Sequence, residues 1–373
     1  MNYQELLENL QALPDQMTAS ERISAYEIGN ETDHIPFCYP GNGETLAPLY
    51  GYSIEQYRSD FNIQCHVMDS LHHEFGHPIS ACAKMGLKGI GEALGSVVIY
   101  PQNSIDYISD YILKDYRELS SLKYEPKNNS FLQKKIKQVH LLKKHYGDDL
   151  PVSVSIAGPL SVAASIRNPQ DLLKDMRKSK KNLHNLLEFS TACSLKWVET
   201  SLHEFGKISV GIADPVSSCT LISPTAFREF SKPYLQKLLK GVTQLLRTVP
   251  SLHICGKTKP IWNDLIELGI KDFSVDNCED LEELKNCVGQ HMSISGNVPP
   301  VDVMLNGTIN EVLASVKQCL LKGSNNPQGF TLDVGCQLPV NTPRENIYAY
   351  IYAAKYFGKK AKKGTLCGGL FAD

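Results

Sequence analysis

The 373 residues carry a formal net charge of −2, with 42% hydrophobic and 21% charged side chains. That balance is globular, and it gives no electrostatic footprint for nucleic acid or an anionic membrane. Eleven cysteines, an odd number over a long chain, argue against a disulfide framework and for a reducing cytoplasm.

From the N-terminus onward, Met1-Asn2-Tyr3-Gln4-Glu5 lacks the basic-then-apolar build of a signal peptide. No later stretch reaches the roughly 18 unbroken apolar residues of a membrane helix. Short apolar runs then alternate with longer amphipathic stretches, the mark of βα units and a parallel sheet. Eight strands are predicted: His34–Cys38, Ile79–Ala83, Val152–Ala157, Ile208–Ala213, Leu252–Ile254, Asp272–Val275, Met292–Ser295 and Phe330–Asp333. Ser96–Tyr100 reads as an extra strand or loop edge, and Glu125–Ser130 as a loop. Helical patterns cover Pro224–Arg247, Lys257–Leu268, Leu281–Val288 and Thr308–Lys322. The short basic clusters Lys134–Lys135 and Lys359–Lys363 read as solvated faces or a tail.

Three helical patterns end in Glu-(Phe/Leu)-Gly just before a strand, at Gly76, Gly206 and Gly269, where glycine suits the left-handed position that closes a helix. The strands in turn end in polar residues: Asp214, His253, Asp276, Asn297 and Asp333. Eight βα units with polar strand ends predict an α/β chain. The fold expected is a (β/α)8 TIM barrel, one domain over residues 1–373, with an N-terminal helical extension at 1–16 and an active site at the C-terminal strand ends.

His73-Glu74-Phe75-Gly76-His77 matches the H-E-x-x-H string of zinc proteases. That chemistry needs both histidines inside one helix. Gly76 and Pro78 mark a helix end instead, so the protease reading is set aside. His72, His73 and His77 still leave a chance surface metal site open.

Three other motifs carry chemistry. In Leu252-His253-Ile254-Cys255-Gly256, the i and i+2 positions of an extended strand point the same way, so imidazole and thiol converge. Both suit a borderline-soft ion such as zinc. Cys336, after the last predicted strand, completes a His-Cys-Cys set, and three protein ligands with an open fourth position describe a catalytic zinc. Asp214, in Gly211-Ile212-Ala213-Asp214-Pro215, ends an apolar strand where a carboxylate is costly unless it is paired. A metal-orienting, substrate-binding or proton-moving role and a plain helix cap all fit it.

Together these motifs resemble the uroporphyrinogen decarboxylase superfamily, on its methyltransferase branch of methylcobalamin:coenzyme M methyltransferases. The resemblance runs from Met17-Thr18-Ala19-Ser20-Glu21-Arg22 through Gly91-Glu92-Ala93-Leu94-Gly95, Ala157-Gly158-Pro159, Ser274-Val275-Asp276 and Ser295-Gly296-Asn297-Val298 to Thr342-Pro343-Arg344. It implies a barrel with Zn2+ on His253, Cys255 and Cys336, and a zinc-activated thiol such as coenzyme M or homocysteine that takes a methyl group from methylcobalamin or a methylated corrinoid protein. Asp214 and Asp276 are the catalytic candidates, as acceptors that orient a ligand, and Glu92 and Asn297 the substrate-binding ones. The decarboxylase branch carries an arginine-rich segment where this chain reads Phe37-Cys38-Tyr39-Pro40-Gly41-Asn42-Gly43, so decarboxylation is the lesser expectation. A non-catalytic zinc- or corrinoid-binding barrel is the third.

Overall fold

The computed structural model describes residues 1–371. They fall into two compact units: Pro78–Ile270, and the segment up to His77 together with that from Lys271 onward.

In the unit Pro78–Ile270, four parallel strands lie side by side in chain order: β1 (Ala81–Cys82), β2 (Val152–Ala157), β3 (Ser209–Ala213) and β4 (Ser251–Ile254). Parallel neighbours need a crossover, and helices supply it. Ser130–Tyr146 precedes β2, Lys180–Phe205 precedes β3, and Lys232–Leu246 precedes β4. The β-branched side chains of Val152, Val154, Ile156, Val210 and Ile212 are buried, as are Leu183, Leu186, Trp197 and Val198 of the long helix. The expected extra strand is present as Val97–Ile99, in an antiparallel hairpin with Tyr107–Asp110.

The predicted helix Pro224–Arg247 is broken. A short helical turn at Pro224–Ala226 passes into a π-turn at Phe227–Ser231 before the α-helix Lys232–Leu246 begins. Pro233 explains this, since it has no N–H and its ring crowds the carbonyl four residues back. Lys257–Leu268 likewise starts late, as a 3-10 turn holding Pro260 and then the helix Trp262–Glu267.

The other unit holds three parallel strands, β5 (Asp272–Val275), β6 (Ser293–Val298) and β7 (Phe330–Val334). The predicted strand His34–Cys38 lies beside β7 but is reduced to one bridge, Phe37 to Leu332. The Cys38 N–H donates to the Leu332 carbonyl at 2.9 Å, and the Leu332 N–H donates to the Pro36 carbonyl at 3.0 Å. Pro36 has no N–H to extend that ladder. The regular strand is Thr32–His34, antiparallel to Lys359–Ala361. Part of the basic C-terminal cluster is thus strand rather than free tail, and Ala361 is fully buried. The N-terminal extension is the helix Tyr3–Gln11, closed by a capping box between Asn2 and Glu5.

An ion-pair cluster ties the start of this unit together. Arg22 grips Asp33 with two bonds of 2.6 and 2.9 Å, and Asp15 receives His34 Nε2 at 2.8 Å and Lys355 Nζ at 2.9 Å. Burial pushes both carboxylates up, but their partners outweigh it. His34 and Lys355 hold Asp15 at about 2, and Arg22 holds Asp33 well below the usual range. The Arg22 and Asp33 side chains are 8% and 7% exposed, so their bond is a buried one. Asp33→Asn, which leaves Arg22 with the Asp15 carboxylate at 3.1 Å and the Met17 carbonyl at 2.8 Å but removes its closest charged partner, is expected to cost about 2 kcal/mol at neutral pH. Both pKa values are lowered, so the stabilisation is full above the ordinary value of 3.8 and fades as pH falls through the lowered ones. Urea unfolding should therefore show the gap between wild type and Asp33→Asn narrowing below about pH 4. A gap that is constant down to pH 2 contradicts the assignment.

Among the described residues, no disulfide is formed, and no helix is long and apolar enough to cross a membrane.

Candidate active site

The sharpest part of the site is the end of β4. Burial alternates along it: Leu252 and Ile254 are fully buried on one side, and His253 is half-buried on the other. Cys255, two residues on, is also half-buried, and its Sγ lies 2.9 Å from His253 Nε2. The extended backbone has brought imidazole and thiol onto one face, as the spacing predicts. The chain then turns at Gly256, whose φ is +77°. A Cβ there would also lie 2.6 Å from Thr220 Oγ1 and 2.7 Å from Ser218 Oγ, so no other residue fits the turn. Thr220 Oγ1 accepts the Lys257 N–H at 3.0 Å, and the Cys219 N–H donates to the Lys257 carbonyl at 2.8 Å. These bonds hold the turn that follows Cys255.

Asp214 follows β3, beside this strand. Its N–H donates to the His253 carbonyl at 2.9 Å. Its carboxylate is fully buried and engaged: Oδ1 accepts the Ser161 N–H at 2.9 Å and the Ser161 hydroxyl at 2.5 Å, and Oδ2 accepts the Ser217 hydroxyl at 2.7 Å. Ser161 lies in the first turn of the helix Pro159–Ile166, whose N-cap is Gly158 and has no side chain of its own to offer. Asp214 caps that helix from a strand away, and its negative charge suits the helix N-terminus. Gly158 makes room for it, because a Cβ there would lie 2.4 Å from Asp214 Cγ. Burial pushes the Asp214 carboxyl up, against the bonds from Ser161 and Ser217. Nothing periodic in the sequence marks Ser161 or Ser217 as its partners. Ala157-Gly158-Pro159, a strand end followed by a helix start without a capping side chain, was the available signal.

Glu92 sits in the helix Gly89–Leu94 and bonds to the Tyr100 hydroxyl. Burial raises its pKa, and the Tyr100 bond opposes that rise.

In the other unit, Asp276 follows β5, Asn297 lies in β6 and Cys336 follows β7. Asp276 Oδ1 accepts the Cys278 N–H at 2.9 Å. Asn297 is buried, and its Nδ2 donates to the carbonyls of Asp276 at 3.1 Å and Glu279 at 2.9 Å. Cys336 is half-buried, one residue after Gly335, whose N–H donates to the Val298 carbonyl at 2.9 Å.

The His73–His77 string ends its helix as predicted. The helix Phe61–Phe75 closes on Gly76 at φ +74°, and His77 lies beyond it. Glu74 is taken by the Tyr50 hydroxyl at 2.9 Å and by Arg344 at 2.5 Å. No group of side chains able to hold a metal includes His72, His73 or His77 among the described residues.

A family model described as uroporphyrinogen decarboxylase (URO-D) matches residues 18–357. The chain belongs to the uroporphyrinogen decarboxylase family. The match begins after the N-terminal helix and ends with the helix Arg344–Phe357. Among curated relatives in this family, the methylcobamide:CoM methyltransferase MtaA of Methanosarcina barkeri is 29% identical over 219 residues, 58% of this chain and 62% of that protein. That match spans less than two thirds of the relative. The methylcobamide:CoM methyltransferase MtbA of Methanosarcina mazei is 27% identical over 281 residues, 75% of this chain and 78% of that protein. A solved methyltransferase from Methanosarcina mazei superposes with a TM-score of 0.76 at 24% identity, covering 92% of this chain and 99% of that one. The fold is therefore the α/β TIM barrel of this family, with the N-terminal helix added.

Proposed function

We propose that this family member is a methyltransferase that moves a methyl group from a methylated corrinoid to a thiol such as coenzyme M or homocysteine, using Zn2+ held by His253, Cys255 and Cys336. The observation that carries the reading is the pairing of His253 Nε2 with Cys255 Sγ at 2.9 Å at the end of a parallel strand, where a barrel keeps its chemistry. Relatives named methylcobamide:CoM methyltransferases supply the reaction class. The donor set fits the metal, because imidazole and thiolate are what zinc takes, and three protein ligands leave a place open for substrate. When bound, zinc supplies thiol activation, holding as thiolate a group whose free pKa is near 8.5.

The chain's own residues do the rest. Asp214 and the Ser218–Thr220 segment hold the end of β4 in register, which sets the spacing of His253 and Cys255. Asp214 is therefore assigned a positioning role. Asp276 is assigned the orienting of a ligand, and Glu92, half-buried beside Tyr100, contact with substrate. The methyl donor is taken to be a corrinoid carried on a separate protein, and the acceptor a small thiol, in a reducing cytoplasm that keeps the cysteines out of disulfides. The decarboxylase reading is disfavoured, since Phe37–Gly43 offers no arginine for a tetrapyrrole carboxylate.

The test is to mix the purified protein with methylcobalamin and, in turn, coenzyme M and homocysteine, following the corrinoid spectrum and the methylated thiol by mass. Methylation of a thiol that depends on the protein is expected. Turnover of neither thiol, from free or protein-bound methylcorrinoid, removes the proposal.

A further inference from the structure

The loop Asp276–Glu279, between β5 and the helix Leu281–Val288, is shaped from two sides. On one side stands Asn297. The Asp276 and Glu279 carbonyls can only accept, so the Asn297 amide must present its NH2 group to them, and both of its N–H bonds are engaged. The remaining Oδ1 lies 3.8 Å from Cys319 Sγ, which donates to it. With 7% of its surface exposed, Asn297 is oriented inward, onto the loop.

On the other side stands Gly335. A Cβ at this position would lie 2.5 Å from the Asn277 nitrogen, 2.8 Å from Asn277 Cβ and 3.0 Å from Asn277 Cα. The backbone just before Cys336 therefore rests directly on the middle of the loop that Asn297 holds. The Gly335 N–H is bonded to the carbonyl of Val298, the residue after Asn297. Asn297, the loop and the Gly335 backbone form one closed set of contacts, and the next residue in the chain is Cys336.

We propose that Asn297 is a positioning residue for Cys336, acting through the Asp276–Glu279 loop and the close approach of Gly335. This rests on the reading of Cys336 as a metal ligand. It assigns Asn297 to the metal's support rather than to substrate.

The test uses full-length protein and two readouts. The first is competition with a chelator for zinc in wild type, Asn297→Asp, Gly335→Ala and Val288→Ala. Asn297→Asp keeps the shape and removes both donors. Gly335→Ala pushes the loop from the opposite side. Val288→Ala loosens the same unit from the far end of a helix. The first two are expected to hold zinc about tenfold more weakly, the size seen when partners of metal ligands are removed, while Val288→Ala matches wild type. The second readout is the alkylation rate of Cys336 in metal-free protein, read by peptide mass, which should rise in the same two variants. Wild-type zinc affinity and alkylation in Asn297→Asp and Gly335→Ala overturn the proposal, as does an equal loss in Val288→Ala. Should wild type bind no zinc, the reading of the metal site fails, and the alkylation rates alone decide on the positioning. If Asn297→Asp does not fold, Gly335→Ala decides.

Discussion

Cys336→Ser is expected to lower methyl transfer at least about 100-fold, since losing even an outer partner of a metal ligand costs 10–100-fold and Cys336 is assigned as a ligand itself. The substitution changes one atom and keeps the volume, so circular dichroism and the unfolding midpoint should stay near wild type. What changes is the donor. A hydroxyl is a hard oxygen that stays protonated at neutral pH, whereas zinc draws a thiol into its thiolate form. The bland reading of Cys336 is a small, half-buried residue that fills space, as Cys287 is in its helix. That reading predicts no loss at all. A Cys336→Ser protein that keeps both zinc and turnover shows that the proposed ligand set is wrong, whatever becomes of the family assignment.

Asp214→Ala is expected to be the most destabilising single substitution near the site, at about 3 kcal/mol in urea unfolding. Each buried donor left without an acceptor costs about 1–3 kcal/mol, and this change strands the Ser161 N–H along with the hydroxyls of Ser161 and Ser217. The hydroxyls can rotate to new acceptors, but the N–H at the helix start cannot, which keeps the total at the lower end of the sum. A loss under about 1 kcal/mol would mean that solvent reaches the helix start and that Asp214 is not its cap. Its pH dependence runs opposite to that of Asp15 and Asp33. Burial raises the folded value, so the proton-linked part of the stability is full below the unfolded value of 3.8 and is lost as pH rises through the folded one, while the acceptor bonds to Ser161 and Ser217 remain. Asp214→Asn, which does not titrate, should abolish that slope.

Much of the fold was legible because it is written locally. Gly76, Gly206 and Gly269 end helices at φ +74°, +74° and +75°, positions where a side chain would be strained. Val152–Ala157 forms a strand over the predicted residues, and Phe330–Val334 runs one residue longer. The His253–Cys255 pair was legible for the same reason, since two residues along a strand suffice to bring the groups together. What escaped the sequence reading depends on partners far along the chain or on a single proline. Lys359–Ala361 reads as basic tail, yet it pairs with Thr32–His34 more than 300 positions earlier. Pro36 cuts a predicted strand to one bridge, and Pro233 turns a predicted helix through a π-turn. At the site, the polar end of β3 marked Asp214 as a residue that had either to be paired or to take part in the chemistry. It did not reveal that its partners sit on the helix Pro159–Ile166 and in the turn after β3. Asn297 was noticed as a polar strand end, but its two bonds to the Asp276–Glu279 loop required the fold.

The measurement that bears most directly on the central claim is the zinc content of the purified protein, wild type beside Cys255→Ala. The ligand set predicts about one zinc per chain in wild type, as a three-ligand catalytic site holds, and its loss in the variant. Wild-type protein that holds no zinc even after the metal is added back contradicts zinc-activated methyl transfer at this site.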